Sequence, residues 1–247
     1  AAGAVLLAVL AGAGGIALKA HEAALERDIA RDEAARNAAV KDYLLTLFRV
    51  AGETQEANTL TPKQLLDKGA KRLVENFDRA PADASDTLLA LAQPYFSFND
   101  YTGAAPLFER LLTQQPPIAP NVAAQAAYDL SQCYLRMSRY PEARDRLQQA
   151  QAYWQQDPAR YRNRLLESRT TQSQLERGEG LTEQSIATLR SALAEREQLS
   201  GEHDTETGVL VNGLAVADFQ AGQLDEARAW FQRALAIWQA VGAEDSV

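Results

Sequence analysis

A pattern of apolar and small residues returns at intervals of about forty residues through the C-terminal two-thirds of this 247-residue chain. In the first clear copy, Leu91-Ala92 precedes a second stripe that begins at Ala104 and continues at Phe108. Such a copy predicts two helices that pack on each other and cannot bury their apolar faces alone, so neighbouring copies must stack in a row. The residues that begin the second stripe in each copy are Ala104, Ala143, Ser185 and Ala227, spaced 39, 42 and 42 residues apart.

This pattern resembles the tetratricopeptide repeat, which consists of two antiparallel helices per unit. The spacing exceeds the standard unit of about 34 residues, which implies longer helices or links. Residues 201–237 in particular resemble the longer repeat units of kinesin light chains. The expected fold is all-α: a tetratricopeptide-like, right-handed helical solenoid, preceded by a long stalk helix and an N-terminal apolar membrane helix. Solenoids of this kind mostly bind other polypeptides.

The expected repeats fill residues 81–247, at about 84–118, 123–158, 160–200 and 207–242. In the third unit the first helix is polar, and Gly178 and Gly180 predict a turn about two residues longer than in the other units. The last unit carries large apolar residues between 227 and 241 and no polar capping helix. Either further repeats follow it or this face pairs with another molecule, and we favour further repeats.

The N-terminal segment has a different composition. Residues 1–18 contain no charged or polar side chain and come close to the roughly 20 residues that a transmembrane helix needs. We interpret them as part of a membrane helix, with a signal peptide and a buried core helix as the alternatives. We expect residues 19–80 to form a helical stalk over 19–51 and a docking helix that begins at Thr61-Pro62 with a capping-box glutamine, Gln64.

Two segments after the apolar start carry a second resemblance. The sequence EAARNAAVKDYLLTLFRVA at Glu33–Ala51 and the sequence LTPKQLLDKGAKRLVENF at Leu60–Phe77 resemble the region after the membrane span in bacterial receptor-type serine/threonine protein kinases. The resemblance implies a non-catalytic sensor or scaffold region, anchored in the inner membrane by a single pass, with extracytoplasmic (periplasmic) repeats. It also allows a homodimer. The alternative is a membrane-anchored periplasmic scaffold or chaperone that has no kinase domain, and the kinase motifs themselves are absent from this chain.

Composition argues against nucleic-acid binding, metal binding and catalysis. The net charge of −8 disfavours a nucleic-acid partner, which requires a basic stripe. Cys133 is the single cysteine, and we expect it to be a small buried residue. His21 and His203 lie far apart among charged residues, so we expect neither a metal site nor a catalytic triad. We therefore expect no enzyme activity and no cofactor.

The candidate binding residues follow from the repeat register. Side chains on the first helix of each unit, just off the packing positions, should face a concave groove that holds a protein or peptide. The alternative is that they pack on the neighbouring unit. The apolar members, Leu89, Phe96, Tyr128 and Phe219, would form a trough, and too few basic residues accompany them to clamp a C-terminal carboxylate. The full candidate set is Leu89, Gln93, Phe96, Tyr128, Gln132, Arg136, Asn212, Val216 and Phe219.

Overall fold

The computed structural model describes residues 61–76, 91–114, 117–200 and 204–242, together with the single positions 27, 34, 38, 41, 85, 88 and 89. The predicted membrane helix at 1–18 and most of the predicted stalk at 19–51 lie outside the described residues. Four stalk positions are helical and exposed, which does not establish a continuous stalk helix. Within the described part of the chain, no helix is both long enough and apolar enough to span a bilayer.

Regular structure in the described residues is entirely helical, as the sequence predicts. The helices are α1 (Pro62–Asn76), α2 (Gln93–Ser97), α3 (Tyr101–Leu112), α4 (Pro120–Arg136), α5 (Tyr140–Trp154), α6 (Arg162–Gly178), α7 (Thr182–Ser200), α8 (Thr205–Gln220) and α9 (Leu224–Ala240). They belong to two compact units. The first comprises residues 1–99 and 113–118, and the second comprises residues 100–112 and 119–247.

In the first unit, the predicted start of α1 is confirmed. The Thr61 amide donates to Gln64 Oε1 at 2.8 Å, and the Gln64 amide donates to Thr61 Oγ1 at 3.3 Å. This reciprocal capping box satisfies two amides that no intrahelical carbonyl can reach. The Tyr95 hydroxyl on α2 donates to Asp67 Oδ1 on α1 at 2.8 Å, so a tyrosine of the repeat pattern fixes α1 beside α2.

In the second unit, helices pair in chain order: α4 with α5, α6 with α7, and α8 with α9. We call α4, α6 and α8 the first helices and α3, α5, α7 and α9 the second helices. Each first helix also contacts the second helix that precedes it, and α4 contacts α6 as α6 contacts α8. The first helices thus form one layer and the second helices another, which is the tetratricopeptide-like arrangement that the sequence predicts.

Two apolar clusters join α4 through α9 in the described part of this unit. One combines α4 with α5 around Tyr128, Leu147 and Trp154, with Leu165 of α6 packed against it. The other combines α6 through α9 around Leu189 and Leu214, and it includes Leu166. Because Leu165 and Leu166 are adjacent on α6 and belong to different clusters, α6 joins the two cores.

The turns between paired helices share one geometry. Ser138, Gly180 and Gly222 all have positive φ, between 59° and 80°. After α4, the Arg139 amide donates to the Tyr134 carbonyl at 2.8 Å, and the Ser138 amide donates to the Leu135 carbonyl at 3.0 Å. This is the Schellman ending, in which a left-handed residue lets two amides close back on the last turn of the helix.

The third repeat, formed by α6 and α7, does not have the longer turn that Gly178 and Gly180 predict. The Leu181 amide donates to the Glu176 carbonyl at 2.7 Å, and the Gly180 amide donates to the Arg177 carbonyl at 3.0 Å. The turn therefore matches the one after α4 residue for residue. Gly178 has a different role: a Cβ there would lie 2.5 Å from Cε1 of Tyr140. It leaves room for a ring from the preceding pair and does not lengthen the loop.

Candidate functional site

The uniform turns fix the register of every first helix. Ser131, Ser173 and Ala215 each precede the small residue of the following second helix by twelve positions. In the third repeat, formed by α6 and α7, the two small residues are in contact: Ser185 Oγ donates to Ser173 Oγ at 3.1 Å. Side chains at equal offsets from Ser131, Ser173 and Ala215 therefore point in equivalent directions from α4, α6 and α8.

On α6, the packed positions are identified by their contacts. Ser168 Oγ and Gln172 Oε1 accept from Gln151 Nε2 of α5 at 3.0 and 3.3 Å. Glu176 Oε2 accepts from Thr188 Oγ1 of α7 at 2.9 Å. These bonds assign two sides of α6 to its neighbouring second helices.

The remaining side of α6 carries Thr170, Gln174 and Arg177, which are all partly exposed. Their spacing of four and three residues places them in one row along the helix. The positions at the same offsets on α8 are Asn212, Val216 and Phe219, so the two helices present equivalent rows.

On α4 the same offsets give Tyr128, Gln132 and Leu135, and the exposed Arg136 follows directly. Tyr128 is buried, whereas the other three reach the surface. The surface residues of these three rows lie on one side of the layer of first helices. We call them the open face, together with Arg136, which follows the α4 row by one position. The open face comprises Gln132, Leu135, Arg136, Thr170, Gln174, Arg177, Asn212, Val216 and Phe219.

The open face changes character along the layer of first helices. Phe219 is 59% exposed, and Val216 lies one helical turn before it, so the α8 end offers an apolar strip. The α6 row offers the amide of Gln174 and the guanidinium of Arg177, and the α4 end offers a second guanidinium on Arg136. A ligand on this face would therefore meet guanidinium and amide groups mainly on α4 and α6, and its largest apolar strip on α8.

Arg177 has an unusual environment for a cation. Its Nη1 is buried and has no hydrogen-bond partner among the described residues. Removal of the guanidinium from water lowers the pKa of Arg177 below its ordinary value. A partly desolvated guanidinium of this kind binds a carboxylate favourably, because the fork of N–H donors matches the two oxygens.

The sequence-predicted site residues fall into three groups. Gln132, Arg136, Asn212, Val216 and Phe219 lie on the open face. Leu89 is buried and Phe96 is partly buried in the first unit, and the side chain of Gln93 lies outside the described residues. The predicted trough has two aromatic residues in the second unit, Tyr128 and Phe219. Of these two, Phe219 is exposed.

Tyr128, the remaining candidate, packs between helices. Its side chain is 8% exposed, its hydroxyl lies 3.1 Å from Thr171 Oγ1 on α6, and its ring meets Trp154 edge-on at a centroid distance of 5.4 Å. Burial raises the pKa of Tyr128 to about 12, so the hydroxyl keeps its proton at neutral pH. This residue joins the first two pairs of the unit and offers little surface to a ligand.

Sequence reasoning missed the α6 row with Gln174 and Arg177. The signal was present in the 42-residue distances from Ala143 to Ser185 and from Ser185 to Ala227, which indicate equal registers for α6 and α8. The assumed longer turn obscured it. With α6 placed correctly, the face gains a second arginine, which is enough to hold one carboxylate although it does not make a clamp of several basic residues.

The remaining chemistry-bearing residues form no reactive centre in the described structure. Cys133 is fully buried, and burial raises the pKa of its thiol to about 12, which leaves it protonated and inert. The described residues contain no cluster of histidine, cysteine and carboxylate side chains that could hold a metal ion. His21 and His203 lie outside the described residues.

Comparison with known proteins supports the repeat assignment. Residues 95–166 match the family model of the tetratricopeptide repeat. This chain contains a tetratricopeptide repeat region. The match begins within α2, covers α3, α4 and α5 and reaches the start of α6, so it includes the turn at Ser138. No curated protein sequence matches the chain.

Solved structures with similar folds carry the same architecture at low sequence identity. BtubC (BKLC) from P. vanneervenii is 19% identical with a TM-score of 0.58, and the alignment covers 73% of this chain and 75% of that one. The nearly identical TPR-like repeats of a protein designated a kinesin light chain in Podosopora anserina are 16% identical with a TM-score of 0.55, covering 80% and 96%. MamA is 16% identical with a TM-score of 0.51, covering 73% and 92%. These likenesses concern the fold alone.

Proposed function

We propose that this chain is a protein-binding scaffold whose open face holds a peptide segment of a partner protein. The segment carries a carboxylate that meets Arg177 and the neighbouring amide of Gln174, and an aliphatic or aromatic side chain that meets Val216 and Phe219. Repeat regions of this kind typically bind polypeptides and are non-catalytic.

The observation that carries this proposal is the guanidinium of Arg177. A surface arginine normally stays fully hydrated or pairs with an acid, yet Arg177 Nη1 is buried without a partner in the described part of the chain. The Arg177 side chain as a whole is partly exposed, so a bound carboxylate would pair with the accessible part of this half-desolvated guanidinium. A charge-assisted hydrogen bond in such a half-desolvated position is worth about 1.5–3 kcal/mol, enough to contribute a large part of a peptide's affinity.

The test is a selection of random twelve-residue peptides on the folded chain, followed by affinity measurements on the winning sequences. We expect the selected peptides to share an acidic residue and an apolar residue. Arg177→Gln should weaken their binding at least tenfold, because it removes the charge that pairs with the carboxylate. Phe219→Ser should also weaken binding, and it should do so equally for peptides whose acidic residue has been replaced by its amide.

A matched control separates the site from the charge of the whole chain. Arg146→Gln on α5 changes the net charge by the same amount as Arg177→Gln without touching the open face, and its affinity should equal that of the wild type. Equal losses in the two variants would show a general charge effect and refute the site. Selected peptides without a shared acidic residue would refute the role of Arg177.

We further propose that the scaffold is the extracytoplasmic region of a receptor-type serine/threonine kinase, held in the inner membrane through residues 1–18, with its repeats in the periplasm. Support comes from the resemblance of residues 33–51 and 60–77 to that kinase family and from the apolar composition of 1–18. In this proposal, partner binding changes the state of the stalk and so the activity of the kinase, through a homodimer.

Two measurements test this second proposal. The coding sequence upstream of Ala1 should encode a kinase domain with its nucleotide loop and catalytic motifs, whereas a short basic leader would support a periplasmic scaffold without a kinase. Protease treatment of spheroplasts should degrade the repeats, and a cytoplasmic control protein should survive. Protected repeats would refute the proposed orientation.

A further inference from the structure

One register position repeats across the open face from helix to helix. The residues four positions after the small residue of each first helix are Leu135 on α4, Arg177 on α6 and Phe219 on α8. Leu135 and Arg177 are partly exposed and Phe219 is exposed. Since α4 and α6 are each followed by another first helix, this position stays accessible inside the layer. We call these three residues the cross row, in which one guanidinium lies between two apolar side chains.

Three positions earlier on two of these helices, the open face carries amides. Gln132 on α4 and Gln174 on α6 hold equal offsets, and both are partly exposed. Neither side-chain amide bonds to another described residue. Each carries two N–H donors and an oxygen acceptor, so Gln174 can serve the backbone of a ligand as well as a carboxylate beside Arg177.

The distance between neighbouring first helices sets the spacing of the groups on a ligand. Helix α6 contacts both α4 and α8, and helices in contact have axes about 8–10 Å apart. Side chains of a ligand that meet successive members of the cross row must therefore point the same way at intervals of about 8–10 Å.

A polyproline II segment matches this interval. It rises about 3.1 Å per residue and turns once every three residues, so side chains three positions apart point the same way at a distance of about 9 Å. In a β-strand, side chains on one face lie about 7 or about 13 Å apart, and neither distance fits. An α-helix fits with residues seven positions apart, which are separated by about 10.5 Å along its axis.

The amides distinguish the two conformations that fit. A polyproline II backbone has no internal hydrogen bonds, so its carbonyl and N–H groups are available to Gln132 and Gln174. An α-helix satisfies its own backbone groups and offers the two amides no such partner. The pair of glutamines therefore favours a polyproline II ligand.

We infer that the partner segment on the open face binds in the polyproline II conformation, with its acidic residue at Arg177 and an apolar residue three positions away on each side. The two apolar residues meet Leu135 and Phe219, and the amides of Gln132 and Gln174 hold the backbone between them. This inference rests on the proposed binding of a peptide at Arg177, and it adds the conformation of the peptide and the spacing of its side chains.

A series of synthetic peptides measures the spacing. Each fluorescein-labelled peptide has a central glutamate, separated from a leucine on either side by one, two, three or six residues of alanine and serine. Fluorescence anisotropy gives its affinity for the whole folded chain. We expect the two-residue spacer to bind about fivefold tighter than the others, because it alone places the three side chains in the cross row in a polyproline II segment. Proline at its spacer positions should tighten binding further, because proline fixes the bound conformation in advance.

Variants of the chain locate the peptide. Leu135→Ser and Phe219→Ser should each weaken binding of the two-residue-spacer peptide about fivefold, since each removes one apolar contact. A peptide with one leucine replaced by serine should remain sensitive to only one of these two variants. Gln132→Ala should weaken the proline-containing peptide about threefold, since it removes a backbone contact. Leu199→Ser, on an exposed leucine of α7, is the matched control and should leave every affinity unchanged.

The outcomes separate this inference from the proposed function. Tightest binding with spacers of one or three residues would indicate a β-strand, and with six residues an α-helix. Either result would overturn the inference and leave the site at Arg177 intact, provided that Arg177→Gln still weakens binding. Weaker binding after the proline substitutions, or unchanged binding by Leu135→Ser, would also overturn it. If no peptide of the series binds saturably, the inference is wrong, and the selection of random peptides tests the proposed function separately.

Discussion

Single residues in left-handed conformation determine where each helix pair turns. Gly180 and Gly222 adopt φ values of 80° and 79° without strain, whereas Ser138 adopts a φ of 59° with a Cβ that crowds the backbone. The hydrogen bonds around Ser138 and Gly180 are the same, so the geometry belongs to the turn and the side chain does not create it. Ser138 is exposed, and removal of its side chain costs no packing.

Ser138→Gly should therefore stabilise the protein by about 0.5–1 kcal/mol, because glycine relieves the left-handed strain and loses only part of that gain to chain entropy. Urea unfolding measures the change. The reverse substitution at the matching turn, Gly222→Ser, should destabilise by a similar amount. A destabilised Ser138→Gly variant would mean that the serine side chain contributes more to the turn than its exposure suggests.

Asp218 is an acidic residue in surroundings that do not favour its charge. It replaces the tyrosine of the repeat pattern, its side chain is fully buried, and neither carboxylate oxygen has a hydrogen-bond partner of ordinary geometry among the described residues. Burial raises the pKa of the carboxyl above its ordinary value, and Arg190 and Trp230 offset only part of the rise. The folded chain thus favours the protonated acid more than the unfolded chain does.

The sign of the pH dependence follows from that raised pKa. The contribution of Asp218 to stability is therefore greatest at low pH. This contribution falls as the pH rises from the ordinary carboxyl pKa of about 3.8 through the higher folded-state pKa. Asp218→Asn should remove that decline, so the free energy of unfolding of the variant minus that of the wild type should grow between about pH 4 and pH 7. Urea unfolding across that pH range measures it. A constant difference would show that Asp218 is solvated in the fold.

At the scale of the helix, the sequence predicted the existence of each pair better than the orientation of its faces. Apolar spacing identified α4, α5, α8 and α9, because their rows of Leu, Ala and Tyr match a helical period. It predicted α6 as a polar helix but did not identify its buried side, which includes polar residues such as Ser168, Thr171 and Glu176. These are buried through hydrogen bonds to neighbouring helices, which the periodicity of apolar residues cannot detect, so the row with Arg177 could not be predicted by that criterion.

Tyr128 illustrates the same limit from the other side. The repeat register places Tyr128 in one row with Gln132 and Leu135 of α4. In the structure its hydroxyl meets Thr171 Oγ1 on α6. A threonine at that position on α6 is not apparent from an apolar pattern. The repeat register therefore identifies candidates by their row on the helix. It does not distinguish a side chain that is accessible to a ligand from one that packs between helix pairs. Binding by the five candidates on the open face stays a prediction.

Tyr128→Phe should destabilise the protein by about 1–2 kcal/mol, because it leaves the buried Thr171 hydroxyl without its partner. Thr171→Val alone should cost a comparable amount. The double variant should cost less than the sum of the two, since no unpaired hydroxyl remains, and a double-mutant cycle from urea unfolding measures the coupling. Additive costs would indicate that the 3.1 Å contact contributes nothing to stability.

At the scale of the whole second unit, two apolar clusters that meet at α6 contribute to stability. In stacked repeats each pair contacts only its neighbours, so the free energy of opening can differ along the array. Leu189 is fully buried at the centre of the cluster that joins α6 through α9. Leu147 holds the equivalent position in the cluster of α4 and α5. The two leucines form a matched comparison.

Leu189→Ala should cost about 2–5 kcal/mol, the range for a leucine truncated in a packed core, and its effect should be unequal along the chain. Native-state hydrogen exchange should accelerate most in α7, α8 and α9, while α4 and α5 keep more of their protection because their own cluster remains intact. Leu147→Ala should produce the opposite distribution. If both variants accelerate exchange uniformly, α4 through α9 open as one cooperative block and α6 transmits the loss of either core to the other.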